Sequence, residues 1–228
     1  MNDQKPGFLA QLKRNESGLA LVEFALSLPI LTMLSVGFIE LGRYVNAHTR
    51  VSQIALSVAD NTGRVVQSID ITDVDAAMIG ARIAGESIDF AENGRVILSM
   101  IEWNGMKNAK KLGQQITWQR CFGAKNVVSS YGLEGAGKNN RNYEDGFGPA
   151  DNKISASEDK GVMFVEVVYD YQPIFPVGDS MVNALAGRTV RATAAYPVRE
   201  RSNNALTNGF NLASNDVRQR ACNVYGAT

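Results

Sequence analysis

One carboxylate lies inside an otherwise apolar run, and its surroundings require a chemical explanation. Glu23 stands near the start of GLALVEFALSLPILTMLSVGFIE, residues 18–40. From Leu19 to Ile39 the run has 21 residues and no other ionisable side chain, which is about the length that crosses a bilayer. An acid in hydrocarbon costs about 2.5–3.5 kcal/mol, so it is expected to have a partner and a function.

The positive partner has to come from outside the side chains of the run, because none of them is basic. A backbone amine could supply the charge if the chain were cut between Gly18 and Leu19. The cut would make Glu23 the fifth residue of the mature chain and would place an ammonium group within a turn or two of it on the same helix.

These residues resemble a known processing signal. Ser17-Gly18 followed by LALVEF is similar to the class III signal of prepilin peptidases. The longer string LVEFALSLPILTMLSVGFIELGR, residues 21–43, resembles more narrowly the TadE-like proteins, which are minor pilins or pseudopilins of the tight-adherence (Tad/Flp) type IV pilus system. The resemblance covers about 45 residues strongly. The matching residues are Val22, Glu23, Phe24, Ala25, Leu26, Pro29 and Glu40.

The resemblance implies specific roles for several of these residues. It implies cleavage after Gly18, N-methylation of Leu19, and neutralisation of a neighbouring subunit's terminal amine by Glu23, with Phe24 beside it in the assembly motif. Pro29 would mark a helix kink. The implied partners are a prepilin peptidase, other pilin or pseudopilin subunits, and the pilus assembly platform in the inner membrane.

The charges that flank the run predict its orientation. Lys13 and Arg14 precede it, so residues 1–18 are expected to form a cytoplasmic leader and the rest to be exported to the periplasm in a single-pass, inner-membrane topology. A secretory signal fits poorly, because its apolar core is shorter and ends in a small-x-small cleavage site. An uncleaved, membrane-anchored periplasmic binding module remains the alternative interpretation.

The elements around this run predict an α+β protein. One long N-terminal helix is expected from about Leu19 to Asp60, with a transmembrane half at 19–40 and an amphipathic half at 41–61. Apolar positions of the second half include Leu41, Val45 and Val51. The exported α+β domain would then occupy residues 62–228. A second helix is predicted over residues 72–92, with a capping box at Thr72 and Asp75.

Four β-rich runs follow, and they predict an antiparallel sheet of about four strands on a helix. Their sequences are RVILSMIEW, QITWQRCF, GVMFVEVVYDYQP and RTVRATAAYPV. The pair Tyr169 and Tyr171 could form a sticky surface patch, although ordinary strand aromatics are the favoured interpretation.

A segment rich in Gly, Asn, Asp and Ser, residues 123–161, separates the second and third runs. Its carboxylates do not fit the spacing of a calcium loop, so a solvated loop is favoured over a metal site. Cys121 and Cys222 are the two cysteines. In an oxidising compartment such a pair most simply forms one disulfide, the alternative being two free thiols.

The remaining composition argues against other classes of function. A formal net charge of zero offers no basic field for nucleic acid. The sequence has no H-E-x-x-H, G-x-S-x-G or C-x-x-C motif and a single histidine, so we predict no enzyme and no cofactor. A hydrolase carried on a pilin-like stalk is a further alternative, and it would require activity in the exported domain.

Overall fold

The computed structural model describes most of the chain after the predicted leader. The described residues are 17–108, 111–174, 189–199, 201–214 and 216–226. Of the leader, residues 1–18, only Ser17 and Gly18 lie within them. The described residues form two compact units: residues 17–43 with 173–174, and residues 44–172 with the described part of 189–226.

The first element is a single long helix, α1, Ser17–Gly63. The predicted helix from Leu19 to Asp60 is therefore present and slightly longer. Residues 17–43 belong to the first unit and residues 44–63 to the second. The described part of the chain contains one helix that is long and apolar enough to cross a membrane, over residues 18–63.

The second unit contains a four-stranded antiparallel sheet, as predicted. Its strands are β2 (Gly94–Asn108), β3 (Lys111–Phe122), β4 (Val162–Asp170) and β5 (Thr189–Pro197). Their spatial order is β3-β2-β4-β5. Register pairs such as Ile97 with Cys121 and Leu98 with Val165 align the buried residues of neighbouring strands.

A two-stranded parallel sheet was not predicted. It pairs β1 (Gln67–Asp70) with β6 (Arg201–Thr207). Their sequences, QSID and RSNNALT, are mostly polar and show no apolar alternation, so pattern analysis cannot recognise them as strands.

The predicted second helix over residues 72–92 is wrong in its length and its cap. Helix α2 is Ile71–Ala84; a 3₁₀ turn at Glu86–Ile88 and a short helix α3, Phe90–Asn93, follow it. Gly85 ends α2, and a Cβ there would lie 2.4 Å from Cβ of Phe90, which only glycine avoids.

The cap of α2 is formed by Asp70 rather than by Thr72. The Asp70 carboxylate accepts a hydrogen bond from the N–H of Thr72 at 3.0 Å, and the Asp73 carboxylate accepts one from the N–H of Asp70 at 3.0 Å. This is a capping box shifted by two residues from the predicted one. Asp75, the other predicted member, instead forms an ion pair with Arg220.

Segment 123–161 packs on the sheet, so the expectation of a solvated loop is wrong for its central part. Phe147 and Ala156 are buried in a cluster with Ile116 and Phe164. Gln114 of β3 holds the segment through both atoms of its amide, donating to the carbonyl of Ala156 at 3.1 Å and accepting from its N–H at 2.7 Å.

The tyrosine pair does not form a surface patch, because both side chains are 2% exposed. The Tyr169 ring stacks on Phe90, and its hydroxyl donates to the carbonyl of Ile88 at 2.7 Å. Tyr171 packs edge-on against Tyr44 of α1.

Candidate processing and assembly segment

Glu23 lies on the exposed surface of α1. Its carboxylate has no hydrogen bond or ion pair with any residue in the described part of the chain. Large apolar side chains on both sides of it are also exposed, with Leu19 at 67% and Phe24 at 58%. A charged group thus lies on an apolar helical surface.

The other polar side chains of the apolar run have partners within the helix. The Ser27 hydroxyl donates to the carbonyl of Phe24 at 2.9 Å, and that of Ser35 donates to the carbonyl of Leu31 at 2.8 Å. Thr32 donates to the carbonyl of Leu28 at 2.5 Å. Such bonds to the preceding turn satisfy hydroxyls without any external group. In the described stretch 18–39, Glu23 is therefore the polar side chain that still needs a partner.

Pro29 lies inside α1 without ending it. Proline has no N–H, so the carbonyl four residues earlier, that of Ala25, lacks its usual helical donor. The Thr32 hydroxyl, which also lies 3.1 Å from the Pro29 carbonyl, adds a polar contact one turn further on. Helices in membranes tolerate a proline when neighbouring groups satisfy the freed carbonyl; the Thr32 hydroxyl bonds other carbonyls, those of Leu28 and Pro29.

Gly18 and Leu19 belong to the first turn of α1. A Cβ built at Gly18 would meet no atom within 4 Å. A larger side chain can therefore be accommodated at this position, and any constraint on it comes from a group outside the described chain.

The second acid of the TadE-like pattern has the opposite environment. Glu40 is 1% exposed, and its Oε2 accepts a hydrogen bond from the N–H of Ile174 at 3.4 Å. Both residues belong to the first unit. Sequence analysis included Glu40 in the family pattern without assigning it a role; the structure shows a buried acid that contacts a distant backbone group.

Cys121 and Cys222 are joined by a disulfide, with their Cα atoms 4.8 Å apart. The C-terminal tail, the part of the chain that follows β6, has a further backbone contact to β3, because the N–H of Cys121 donates to the carbonyl of Arg220 at 2.6 Å. An ion pair between Arg220 and Asp75 holds the same part of the tail to α2.

Arg95 is the tail's other anchor, and sequence analysis missed it. The side chain is 1% exposed and donates to the carbonyls of Gly123 and Cys222, each at 2.7 Å. The guanidinium also lies 4.2 Å from the centre of the Tyr225 ring. Burial lowers the pKa of Arg95, partly offset by Tyr225. The sequence did contain a signal for it: Arg95 is a charged residue at the start of an otherwise apolar run.

No cluster of three or more His, Cys, Asp or Glu side chains suited to a metal ion occurs among the described residues. Of the carboxylates in segment 123–161, Asp145 forms an ion pair with Lys111 and Glu158 forms one with Lys107.

Comparison with known families confirms the resemblance at the first helix. Residues 18–60 match the family model described as TadE-like protein. This range includes Gly18, Glu23, Pro29 and Glu40, and it points to a protein associated with Tad pili. No curated protein and no solved structure matches the chain.

Proposed function

We propose that this chain is a minor pilin or pseudopilin, processed after Gly18 and used in assembling a Tad/Flp-type pilus that serves surface attachment. The observation that carries the proposal is Glu23, the polar side chain of the apolar helical run that has no partner in the described chain. The TadE-like match over residues 18–60 supports the same interpretation.

Cleavage would create the missing positive charge. Leu19 would carry the new ammonium group. The simplest counter-ion for Glu23 is then the ammonium group of another copy. Glu23 lies four residues further on, about 6 Å along the helix axis. A neighbouring copy displaced by about one turn would bring its ammonium beside this carboxylate. In a low-dielectric environment each charge then stabilises the other, and removal of one strands its partner.

The proposal specifies a location and partners. The N-terminal side would stay in the cytoplasm, where a prepilin peptidase removes the leader, and the α+β unit would lie in the periplasm. Assembly would then bring α1 against other pilin or pseudopilin subunits at the inner-membrane platform. We propose no catalytic activity for the exported unit.

Processing is tested by measuring the intact mass and N-terminal sequence of the protein produced with and without its prepilin peptidase. Gly18→Val and Gly42→Val form a matched pair, because both glycines belong to α1 and neither Cβ would meet an atom within 4 Å. We expect the mature chain to begin at Leu19 with the peptidase. Gly18→Val should keep its leader, and Gly42→Val should lose it.

Two results would contradict the proposal. Persistence of Met1 in every sample would instead support the uncleaved anchor of a periplasmic binding module. Hydrolytic activity that persists in the processed full chain and survives Glu23→Gln would support the alternative of an enzyme on a pilin-like stalk.

A further inference from the structure

Strand β3 lies at one edge of the four-stranded sheet, and its own chain covers that edge at two places. At Ile116 the N–H donates to the carbonyl of Ala136 at 2.9 Å, and the carbonyl accepts from the N–H of Gly135 at 2.8 Å. At Cys121 the N–H donates to the carbonyl of Arg220 at 2.6 Å. Backbone from the chain itself thus takes the place of a neighbouring strand at both positions.

Between these positions, side chains occupy the edge at Gln119. Its N–H donates to Oε2 of Glu134 at 2.9 Å, and its carbonyl accepts from Nη1 of Arg120 at 2.6 Å. The two side chains form an ion pair at 3.4 Å, and the side chain of Glu134 is 54% exposed. An acceptor and a donor therefore stand where the peptide group of an added strand would lie.

A cleft of about 720 Å³ opens beside this part of β3. Its lining includes Gln119, Arg120 and Glu134, together with apolar side chains from segment 123–161 and from the tail. Val128 and Leu133 are 60% and 57% exposed. A volume of this size is typical of ligand sites that combine apolar walls with a few polar groups. The apolar lining residues are Ile97, Val127, Val128, Leu133, Leu212 and Tyr225.

We propose that this cleft binds an extended segment of another polypeptide chain, whose backbone replaces Glu134 and Arg120 at Gln119. One apolar side chain of the segment would lie between Val128 and Leu133. Adding a strand to a sheet edge provides affinity through backbone hydrogen bonds and specificity through side-chain pockets.

The geometry limits the length and charge of the bound segment. Ile116 and Cys121 are five residues apart, which is about 16 Å along a strand. With both ends covered, about two or three residues of a second chain have room beside Gln119. The segment should be uncharged, because Arg120 and Glu134 already neutralise each other. The same pairing keeps both side chains satisfied after they leave Gln119.

The proposal is tested by fluorescence polarisation with the full chain in detergent. The probes are tripeptide amides, Ser-X-Ser-amide, with a fluorophore joined through an amide to the N-terminal nitrogen, in which X is Val, Leu, Phe, Asp or Lys. Both ends are blocked so that terminal charges play no part. We expect binding when X is apolar. Glu134→Ala should tighten it about fivefold, because the side chain that competes for the Gln119 N–H is gone.

Matched variants make the test specific. Leu133→Asp should abolish binding by placing a charge in the apolar wall. Glu158→Ala, which removes an exposed acid paired with Lys107 elsewhere, should leave binding unchanged. Tryptophan fluorescence, which reports on Trp103 of β2 and Trp118 of β3 together, should be the same in all variants and so verifies the sheet in each.

Three outcomes would overturn the proposal. Weaker binding by Glu134→Ala would mean that the carboxylate itself holds the ligand. Binding only by a second set of the same peptides, in which the C-terminal amide is replaced by a free carboxylate, would indicate a site for chain termini. Absence of binding by every peptide up to about 1 mM, with self-association of Glu134→Ala, would show that the two side chains only protect an exposed sheet edge.

Discussion

Two parts of helix α1, residues 18–39 and residues 47–59, are both rich in apolar residues. Large apolar side chains of the first part are exposed, whereas most of those in the second part are buried. Leu26, in the first part, is 70% exposed, whereas Ile54, in the second, is 0% exposed. The second part also buries Ala47, Val51, Ala55 and Val58 to 1% or less. The first part therefore presents apolar side chains that are left exposed, and the second contributes to a folded unit.

The difference separates assembly from folding. A change in residues 18–39 should affect insertion or association and leave the second unit folded. A change among the buried residues of 47–59 should lower the free energy of unfolding. Each of the following variants tests whether the two parts of the helix are independent in this sense.

Glu23→Gln should have the largest effect, and only on assembly. Removing one partner of a buried ion pair costs about 3–5 kcal/mol, so incorporation into pili should fall by at least about a hundredfold. The sheared pilus fraction is compared with the membrane fraction by immunoblot. Glu92→Gln, at an exposed acid of the second unit, is the control. A parallel fall in thermal stability for Glu23→Gln would mean that the two parts of α1 are not independent.

The double variant Cys121→Ser/Cys222→Ser should give the largest loss of stability within the second unit. The disulfide joins residues 101 positions apart, and closing so long a loop is worth up to about 4–5 kcal/mol. Chemical unfolding followed by Trp fluorescence measures the loss. Because Arg95 and Arg220 also hold the tail, its cleavage by protease should increase only partly in the double variant. Complete tail cleavage under native conditions would show that these contacts contribute little.

Ile54→Ala and Leu56→Ala compare the two sides of the second part of α1. Ile54 is 0% exposed and Leu56 is 62% exposed. Truncating a buried isoleucine costs about 2–5 kcal/mol, whereas truncating the exposed leucine should change the unfolding free energy by less than about 0.5 kcal/mol. Equal losses for the two variants in detergent would refute the assignment of the buried face.

Much of this architecture could be predicted because its residues follow clear periods. The length of α1 and the four strands of the main sheet came from uninterrupted apolar runs and from alternation. The buried face of α1 was only partly predicted: Val51 is buried, whereas Leu41 and Val45 are 46% and 56% exposed. Periodicity identifies the apolar face of a helix, but it does not show which residues of that face are buried by the rest of the fold.

The errors arose where distant parts of the chain determine local structure. The break at Gly85 depends on the side chain of Phe90, and the strand pairing of β1 depends on β6, more than 130 residues away. The same limit applies to Arg95, whose partners come from the tail. In the candidate segment, Gly18 and Glu23 were recognisable because an acid and a glycine at this spacing stand out against an apolar run.

The smallest expected effect concerns Asp70, whose carboxylate links α2 to the turn after β6. Burial alone would raise the pKa of Asp70, but hydrogen bonds from the N–H groups of Gly209 and Thr72, and from two hydroxyls, lower it below its ordinary value. A carboxylate with a lowered pKa stabilises the fold above the pKa of the unfolded chain, about 3.9. This contribution is lost as the pH falls through the lower folded-state pKa.

Asp70→Asn should therefore cost about 1 kcal/mol at pH 7, because hydrogen bonds to a charged acceptor are stronger than hydrogen bonds to a neutral amide oxygen. The difference from the parent chain should shrink as the pH falls below about 4. Unfolding curves at pH 7, 5 and 3, recorded on the full chain in detergent, measure this change. Asp216→Asn is a useful comparison, because Arg218, two residues further on, lowers the pKa of Asp216 to about 2 through hydrogen bonds from its side chain and its backbone N–H. That local pair should add little stability at any pH. If the unfolding free energies of Asp70→Asn and the parent differ by the same amount at all three pH values, the cost comes from altered hydrogen-bond geometry and not from the lost charge.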